Sequence, residues 1–518
     1  MVRRHDIGER IPLRLHLPEW PTAQFWILVT IVLLVAFGLR IRDLGHNPPE
    51  LFEDEISGAI SAWKIVTTGH DVEVTRLPFL ATRLQLIQPV YGFTTVITQA
   101  ILGRSVVAVR LPAVIFGIIS TALVIWIMRL FGRSRVEALV AGGLFAVVPW
   151  AVHYGRIGWD PAALPPFSLG GLGMLWLGLR CHRSRFLVGG AALLALGTYT
   201  YATGLLINII LATAVFALHF RSLGRRDIVS LLFASGVALL VLVPYLRALF
   251  TEPLLTRRSA MISVFAQGVN GHALGLAWRN YWEQWNPEWL FFDGPQNLRN
   301  HPGIAMTFPW MAPFLCLGIW RLFSQKGTAG IFMLLWLVLG PLPAGLTNDG
   351  VPHFTRGLLA LPPLVMVTAM GVVWAYQCID RLSPVLAVIS AVIVLTIACM
   401  QIFDAYRFYF GRYPAVSASA WAYGTGEAVT LAGKEVPAGA TLCIDMLSQF
   451  TFWHEVDYYL GSRDFVVIER KSDPRCSQPG AYVLDGVSAR REAPVRTVAI
   501  APDFQGKPLY QLSEVTAR

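Results

Sequence analysis

The sequence predicts an α-helical polytopic membrane protein with a small C-terminal α/β domain. Of its 518 residues, 55% are hydrophobic and only 14% are charged, and the mean hydropathy of +0.54 is well above that of soluble domains. Apolar runs long enough to cross a bilayer recur along most of the chain. Beyond residue 403, short mixed stretches such as ATLCIDM and DFVVIER, punctuated by Gly and Pro, predict strands instead.

The first membrane helix is expected to be retained. The basic stretch MVRRHDIGERIPLRLHLPEW precedes the run FWILVTIVLLVAFGL, and no small-residue cleavage site follows it. A crossing takes roughly 20 apolar residues, which gives about 11 transmembrane helices. The predicted spans are 22–40, 111–131, 136–152, 164–180, 186–200, 203–220, 228–249, 307–321, 328–346, 357–377 and 384–403.

The basic loops predict the orientation of these spans, because short cytoplasmic loops collect Lys and Arg. If Gln88–Gly103 lies along the membrane surface, the loops RLFGRSR, RCHRSR, RSLGRR and RLFSQK all fall inside. If that segment crosses, they all fall outside. The preferred map therefore has a membrane domain, 1–403, with a first extracytoplasmic loop at about 41–110 and an outer loop at 251–308. Residues 404–518 form an extracytoplasmic domain.

The net charge of +10 is interpreted as a topology signal, and no nucleic-acid partner is expected. No Walker or GxGxxG pattern occurs. Group-transfer chemistry on the outer face would lack access to cytoplasmic nucleotides. Its donor must then be carried in the membrane.

Four acids stand together in ELFEDEISGA, residues 50–59, within the first outer loop. The following ISGAISAWKIVTTG predicts a helix with one face on the membrane, so the acids lie near its N-terminus, where the helix dipole favours ionised carboxylates. Such acids are most often simply solvent-exposed. The functional alternative makes Asp54 a catalytic base with Glu55 beside it, and leaves Glu50 and Glu53 as a solvated rim.

The acidity of a carboxylate limits what Asp54 can do. An ordinary aspartate carboxylate, with a reference pKa of about 3.9, is too weak a base to deprotonate a resting alcohol, so proton transfer must occur late, as the hydroxyl oxygen bonds to carbon. That requires a good leaving group, such as the phosphate of a sugar phosphate. Positive side chains would stabilise the departing phosphate.

Two outer turns offer suitable polar groups. HYGRIGWDP contains Arg156 and Asp160, and VPHFTRG contains His353 and Arg356. The alternatives are interfacial anchoring for the arginines and a helix-start role for Asp160. Three tyrosines are candidates to line a sugar or lipid groove, or are ordinary membrane-belt residues: Tyr91, Tyr199 and Tyr201.

Metal binding is left open, with no site assigned. Candidate ligands for a divalent metal ion are His46, Glu53, Asp54, Glu55, His70 and Asp160, but their spacing is not diagnostic. Cys443 and Cys476 can pair if the C-terminal domain is extracytoplasmic. The other four cysteines lie in or beside apolar spans, where packing explains them.

The chain resembles glycosyltransferases of the GT-C superfold, in the group of dolichyl-phosphate-mannose protein mannosyltransferases and aminoarabinose transferases of lipid A. The matching pieces extend over roughly residues 22–375. In order they are FEDEISGAISAWKIVTTGHD, QPVYGFTTVITQAILG with VRLPAVIFG, RLFGRSRVEALVAGGLFAVVPWAVHYGRIGWDP, LGTYTYATGLL and PHFTRGLLALPPL.

The resemblance implies a polyprenyl-phosphate monosaccharide donor and an extracytoplasmic active site. It implies that Asp54 is the general base with Glu55 its neighbour, and that Arg356, with His353, lies near the lipid phosphate. Asp160 occupies a loop where superfold members often carry an acid, although relatives in this group more often have another residue there. The C-terminal region matches no known pattern.

The predicted function is that of a cell-envelope enzyme in the plasma membrane, a hexosyl- or pentosyltransferase. It would move one sugar from the lipid phosphate to a protein, lipid or glycan acceptor by direct displacement, with Arg356 and Arg156 stabilising the phosphate. One alternative is a flippase for lipid-linked sugars, which predicts polar residues along the spans, where few occur. The other is a non-catalytic scaffold, which would tolerate loss of the first-loop acids.

Overall fold

The structure is a computed structural model that describes residues 22–71, 80–81, 86–252, 260–294, 297–325, 327–445, 452–460, 464–468, 473–487, 489, 494–503 and 505–516. The basic N-terminal stretch lies outside the described residues. In chain order the helices are α1 (Thr22–Ile41), α2 (Glu53–Thr68), α3 (Pro89–Leu102), α4 (Val106–Leu130), α5 (Arg135–Val147), α6 (Pro149–Tyr154), α7 (Leu164–Cys181), α8 (Ser184–Gly197), α9 (Gly204–His219), α10 (Arg225–Thr251), α11 (Gly271–Glu283), α12 (Met311–Gln325), α13 (Thr328–Leu339), α14 (Leu342–Gly345), α15 (Leu361–Leu382), α16 (Pro384–Gly411), α17 (Tyr413–Val416), α18 (Thr425–Glu435) and α19 (Phe452–Tyr459).

The predicted fold class is confirmed, and the protein is an integral membrane protein. Each predicted span coincides with a helix. Within the described ranges, eight helical segments are long and apolar enough to cross a membrane: Thr22–Ile41, Val106–Leu130, Asp160–Cys181, Gly204–Ser222, Arg225–Thr251, Thr328–Gly345, Leu358–Leu382 and Pro384–Gly411.

The other three predicted spans coincide with shorter helices. The prediction 136–152 divides into α5 and α6, because Pro149 has no N–H to continue the helical ladder. The predicted spans 186–200 and 307–321 correspond to α8 and α12, which have 14 and 15 residues, fewer than a crossing normally takes. The segment Gln88–Gly103 forms α3, whose 14 residues are fewer than a crossing normally takes.

Helix α15 lies at the centre of the membrane domain and is buried along most of its length, whereas α10 and α16 are largely exposed in the way lipid-facing helices are. Helices α12 and α15 pack backbone to backbone. A Cβ added at Gly371 would collide with the carbonyl oxygen of Phe314. Glycine there allows the close approach that brings the membrane helices together.

The C-terminal domain is a five-stranded sheet with two helices, as the α/β prediction requires. Its strands, β3 (Thr441–Ile444), β4 (Val466–Ile468), β5 (Ala481–Gly486), β6 (Val495–Pro502) and β7 (Pro508–Val515), are ordered β4-β3-β5-β7-β6. A separate two-stranded ribbon in the first loop pairs β1 (Leu80–Ala81) with β2 (Leu86–Ile87). Along β3, Leu442 and Ile444 pack in the cluster that contains α18, while Cys443 faces the other side and forms a disulfide with Cys476.

The C-terminal region is attached to the membrane domain through aromatic residues. Helix α16 continues past the predicted end at 403 to Gly411, and its last turns bury Tyr406 and Tyr409. Farther on, Trp421 is fully buried, with its ring centroid 6.3 Å from that of Phe52 and 6.4 Å from that of Trp159. Trp421 therefore lies against the residue that precedes α2.

Candidate active site

Helix α2 begins at Glu53, so Glu53, Asp54 and Glu55 all lie in its first turn. The unpaired N–H groups of this turn carry partial positive charge, which stabilises ionised carboxylates. Glu55 Oε2 accepts a hydrogen bond of 3.0 Å from the Phe52 N–H. This contact fixes how the chain enters the helix, and it leaves the acids at the helix N-terminus, where the sequence predicts them.

Glu55 is fully buried against Arg110, which is also fully buried. Arg110 Nε lies 2.9 Å from Oε1 of Glu55, and Nη2 lies 3.1 Å from Oε2. This two-pronged geometry is available to arginine and not to lysine. The Gly158 N–H donates a further hydrogen bond of 2.7 Å to Oε1. With the Phe52 N–H, these donors engage both carboxylate oxygens, so Glu55 holds the turn in place.

The close approach of Gly158 depends on its lack of a side chain. A Cβ at this position would lie 3.0 Å from Glu55 Oε1 and 2.9 Å from Val109 Cγ1. Both separations are shorter than ordinary van der Waals contact. The glycine in HYGRIGWDP therefore allows a backbone N–H from the second outer turn to reach the first-loop carboxylate.

Arg110 organises the whole segment that leads into α2. Besides Glu55, it donates hydrogen bonds to the carbonyls of Leu44 (3.2 Å), Pro48 (2.7 Å) and Glu50 (2.6 Å), so all five of its N–H groups are used. The sequence carries a signal that could have found it. A single arginine near the start of an apolar span, as in VVAVRLPAVIFG, needs a buried partner.

Asp54 differs from Glu55 in its surroundings, because it is only partly buried. Among the residues that the structure describes, none donates a hydrogen bond to its carboxylate. Its negative charge acts on Asp160, whose Oδ2 accepts a 3.3 Å hydrogen bond from the Gln88 N–H. Two of the predicted site residues, one on α2 and one on the second outer turn, are thus brought near each other.

From the sequence alone, Glu50 is interpreted as a solvated acid at the rim of the site, but the structure shows it bound to the C-terminal region. Its Oε1 accepts a 2.8 Å hydrogen bond from the Tyr459 hydroxyl, and its Oε2 a 3.3 Å hydrogen bond from the Gly424 N–H. Burial raises the pKa of the Glu50 carboxyl, while these two donors oppose that rise. The interpretation was wrong because both donors belong to the C-terminal region, far away in sequence.

Arg299 places a positive charge beside the start of α2. Its guanidinium carbon lies 3.7 Å from the centroid of the Phe52 ring, a separation typical of a cation–π contact. The sequence pattern does not single out this residue, because an arginine in the outer loop NLRN belongs to no motif and its aromatic partner is remote in the chain.

A chain of hydrogen bonds links the Arg299 segment to the late outer loop. The Tyr154 hydroxyl donates to the carbonyl of Asn300 at 2.9 Å and accepts from the Thr355 hydroxyl at 2.8 Å. Thr355 immediately precedes Arg356. Tyr154 therefore joins the two loops that bear cations, although no sequence motif marks it.

Arg356 is nearly buried within its own loop. Nη1 donates to Thr347 Oγ1 at 2.8 Å, and Nη2 lies 3.2 Å from Asp349 Oδ2. The His353 N–H donates to Gln284 Oε1 at 2.9 Å. Within the described part of the chain, no hydrogen bond or ion pair joins Arg356 to the first-loop acids.

Arg156 binds the C-terminal end of α1 and the chain that follows it. Its guanidinium donates to the carbonyls of Leu39 (2.8 Å), Arg40 (2.9 Å) and Asn47 (2.6 Å), and it stands over the ring of Tyr409 at 5.7 Å. Arginine at a helix C-terminus satisfies carbonyls that have no partner in the helix. Three of the five N–H groups of Arg156 are thus already engaged by backbone carbonyls.

The three predicted tyrosines make different contacts. Tyr91 is buried, and its hydroxyl donates to the carbonyl of Val109 at 2.9 Å. The Tyr199 hydroxyl donates to the carbonyl of Val241 at 2.7 Å. Tyr201 is only partly buried and acts electrostatically on Tyr154, so it is the one of the three near the hydrogen-bonded chain between the loops.

The candidate metal ligands do not gather in one place. Among the described residues, no group of three or more His, Cys, Asp or Glu side chains is arranged to hold a metal ion. The carboxylate oxygens of Glu55, which the sequence offers as a ligand, are occupied by Arg110 and Gly158.

The chain is similar to known membrane glycosyltransferases. Residues 88–247, about a third of the chain, match the family model of dolichyl-phosphate-mannose-protein mannosyltransferases. The structure of ArnT from Cupriavidus metallidurans in the apo state aligns with a TM-score of 0.59 and 14% identity, over 95% of this chain and 98% of that one. The same protein bound to undecaprenyl phosphate aligns with a TM-score of 0.56 and 14% identity over the same shares.

A third similar structure is the oligosaccharyltransferase of Archaeoglobus fulgidus, with a TM-score of 0.52 and 13% identity over 90% of this chain and 70% of that one. No curated protein sequence matches the chain significantly. Identities this low show the fold, and that fold is the GT-C architecture that the resemblance predicts.

Proposed function

We propose that this GT-C-fold protein is a membrane glycosyltransferase. It transfers a monosaccharide from a polyprenyl-phosphate sugar to a hydroxyl or amine of a protein, lipid or glycan acceptor. The observation that carries the proposal is the contrast between two adjacent acids. Glu55 is fixed by Arg110, while its neighbour Asp54 is partly exposed at a helix N-terminus with no hydrogen-bond donor among the described residues.

Asp54 acts as the base in a direct displacement. The acceptor oxygen or nitrogen bonds to the anomeric carbon as the bond from that carbon to the phosphate oxygen breaks, and the acceptor proton passes to the Asp54 carboxylate. A carboxylate at a helix N-terminus is held in the ionised form that this step needs. The polyprenyl phosphate departs with the electron pair of the broken bond.

The departing phosphate needs positive charge, and we assign it to Arg299 and Arg356. Arg299 stands beside Phe52, two residues before Asp54, and Arg356 belongs to the loop that Tyr154 ties to the Arg299 segment. Fixed cations at a site of developing negative charge lower the barrier without reorganisation. Arg156 is not included, because its side chain is fully buried at the end of α1 and, in the part of the chain that the structure describes, no hydrogen bond ties it to the Arg299 segment.

Asp160 positions the acceptor in this proposal. Its carboxyl group lies near that of Asp54, and its oxygens can accept a hydrogen bond from an acceptor hydroxyl or amine. Glu55 acts indirectly, by holding the first turn of α2 through Arg110. The fold shared with ArnT, a protein whose structure is known bound to undecaprenyl phosphate, supports a lipid-phosphate donor.

We place the reaction on the extracytoplasmic face. The disulfide Cys443–Cys476 lies in the C-terminal domain, and disulfides persist in oxidising compartments. The same domain donates hydrogen bonds to Glu50, four residues before Asp54. Disulfide and first-loop acids therefore lie on one side of the membrane, which agrees with the side predicted from the basic loops.

The experiment compares Asp54→Asn with Glu53→Gln, a neutralised acid in the same helical turn. Purified protein in lipid nanodiscs is incubated with a panel of labelled polyprenyl-phosphate sugars and a membrane extract as acceptor source, and sugar transfer is measured. Loss of a general base costs on the order of 10²–10⁴-fold in rate, so Asp54→Asn should lose at least about 100-fold. The Glu53 variant should stay within a few-fold of the wild type.

Thermal unfolding of both variants shows whether the effect is chemical. The Asp54 variant should unfold at the wild-type temperature, because no described residue depends on its carboxylate for a hydrogen bond. Normal turnover by a folded Asp54→Asn protein, with any donor of the panel, would refute the assignment.

A further inference from the structure

Helix α11 (Gly271–Glu283) in the outer loop exposes a stripe of large apolar side chains. Leu274, Trp278 and Trp282 have exposed fractions of 55%, 66% and 51%. They are spaced four residues apart and so lie on one face of the helix. A soluble surface rarely carries two tryptophans and a leucine side by side.

The other faces of α11 have different surroundings. One face packs on the protein, where Asn280 Nδ2 donates to the carbonyl of Thr347 and the Tyr281 hydroxyl donates to the carbonyl of Val338, both at 2.9 Å. Another face presents the exposed polar residues His272 and Arg279 to solvent. The helix therefore has a protein face, a polar face and an apolar face.

The apolar face continues the lipid-facing surface of the neighbouring span. Val338, which Tyr281 contacts, belongs to the segment Thr328–Gly345, which is apolar enough to cross a membrane. Ile331, Leu335 and Val338 are all exposed along that segment. Helix α11 is thus fixed near the end of a membrane-spanning helix, where the bilayer gives way to water.

We propose that α11 lies in the plane of the membrane interface and docks its Leu274–Trp278–Trp282 face onto the lipid surface. Tryptophan is enriched at this depth because its ring is apolar while its N–H bonds to headgroups or water. An amphipathic helix with an apolar face bordered by polar residues is suited to lie there. A protein partner would not account for the continuity of this face with the exposed side of an apolar span.

The docking also bears on the candidate site. Through Asn280 the helix holds Thr347, which accepts a hydrogen bond from Arg356, and through Gln284, just after its last turn, it holds the backbone of His353. The lipid surface therefore sets the height of this loop above the bilayer. The docking itself does not depend on the proposed reaction and can be tested without it.

The test measures where the apolar face lies. In full-length protein with Ser in place of Cys181, Cys316, Cys378 and Cys399, one nitroxide is attached at Leu274→Cys, Trp278→Cys or Trp282→Cys. The matched control is Arg279→Cys, on the polar face of the same helix. After reconstitution into phosphatidylcholine–phosphatidylglycerol vesicles, electron paramagnetic resonance compares relaxation by O2, which concentrates in lipid, with relaxation by a water-soluble nickel chelate.

We expect the three stripe labels to be relaxed several-fold more by O2 than by the nickel chelate, and the label at 279 to show the reverse preference. Stripe labels with the preference of position 279 would mean that the face is in water, and would overturn the proposal. Stripe labels shielded from both reagents would mean that protein covers the face, and would also overturn it. Three independent positions keep the test decisive if one labelled variant fails to fold.

Discussion

Replacing Arg110 by Met removes the side chain on which the entry to α2 depends. The change leaves Glu55 buried with its negative charge but without its cation, and it leaves the carbonyls of Leu44, Pro48 and Glu50 without a donor. The Gly158 and Phe52 N–H groups still bind the carboxylate. They carry no net charge and cannot replace the arginine.

The magnitude follows from these contacts. Removing one partner of a buried ion pair costs about 3–5 kcal/mol, and each lost hydrogen bond to a carbonyl costs about 1 kcal/mol. Arg110→Met should therefore lose roughly 6–8 kcal/mol of local stability. Arg110→Lys keeps the charge but has three donors on one nitrogen, so about half of that loss is expected. The double variant Arg110→Met/Glu55→Gln removes the uncompensated charge and should recover about 3 kcal/mol relative to Arg110→Met.

Thermal unfolding in detergent and sugar transfer in nanodiscs provide the two readouts. Stability should fall in the order wild type, Arg110→Lys, Arg110→Met, with the double variant above Arg110→Met. In the lysine variant, which retains the charge, kcat should fall more than the affinity for the lipid donor, because Asp54 is displaced while the cation sites are intact. A methionine variant with wild-type unfolding temperature and turnover would refute this account of Arg110.

Two further outcomes are expected from neighbouring groups. Gly158→Ala should lower both stability and transfer, because its methyl group would lie 3.0 Å from Glu55 Oε1; unfolding temperature and turnover equal to the wild type would contradict the reason given for the glycine. Burial raises the pKa of Glu50 above its ordinary value of 4.5, so the folded state binds this proton more tightly than the unfolded state does. The stability that results from proton binding is fully present below pH 4.5 and is lost as the pH rises through the raised pKa. The wild type should therefore lose stability relative to Glu50→Gln over that rise, and a difference that stays constant from about pH 4 to 8 in thermal unfolding would count against it.

The parts of the fold that follow from local physical requirements are visible in the sequence. A bilayer crossing demands a continuous apolar run, and every predicted span has a helix. Three of these helices are shorter than a crossing normally takes, one of them because Pro149 interrupts it. The disulfide joins Cys443 and Cys476, the two cysteines outside the apolar spans, whose pairing the sequence alone leaves open.

The parts of the candidate site that depend on distant contacts are not visible in the sequence. Glu55 and Arg110 are 55 residues apart, and Glu50 and Tyr459 are 409 apart. No periodic pattern records such pairs. Arg299 and Phe52 likewise come into contact only after folding. The stretch ELFEDEISGA therefore identifies a group of acids, but it does not show that Glu55 is paired with Arg110 or that Glu50 binds the C-terminal region. It also does not show that Asp54 is left partly exposed.

The attachment of the C-terminal region to the first loop limits how this protein can be engineered or can diverge. Tyr459 and Gly424 donate hydrogen bonds to Glu50, and the ring of Trp421 lies against that of Phe52. The C-terminal region therefore cannot be exchanged for another domain without loss of these contacts. A chimera carrying a foreign C-terminal domain would arrive without these contacts and would loosen the chain just before Asp54. Changes within the C-terminal domain that keep Tyr459, Gly424 and Trp421 are therefore expected to be tolerated better than exchange of the whole domain.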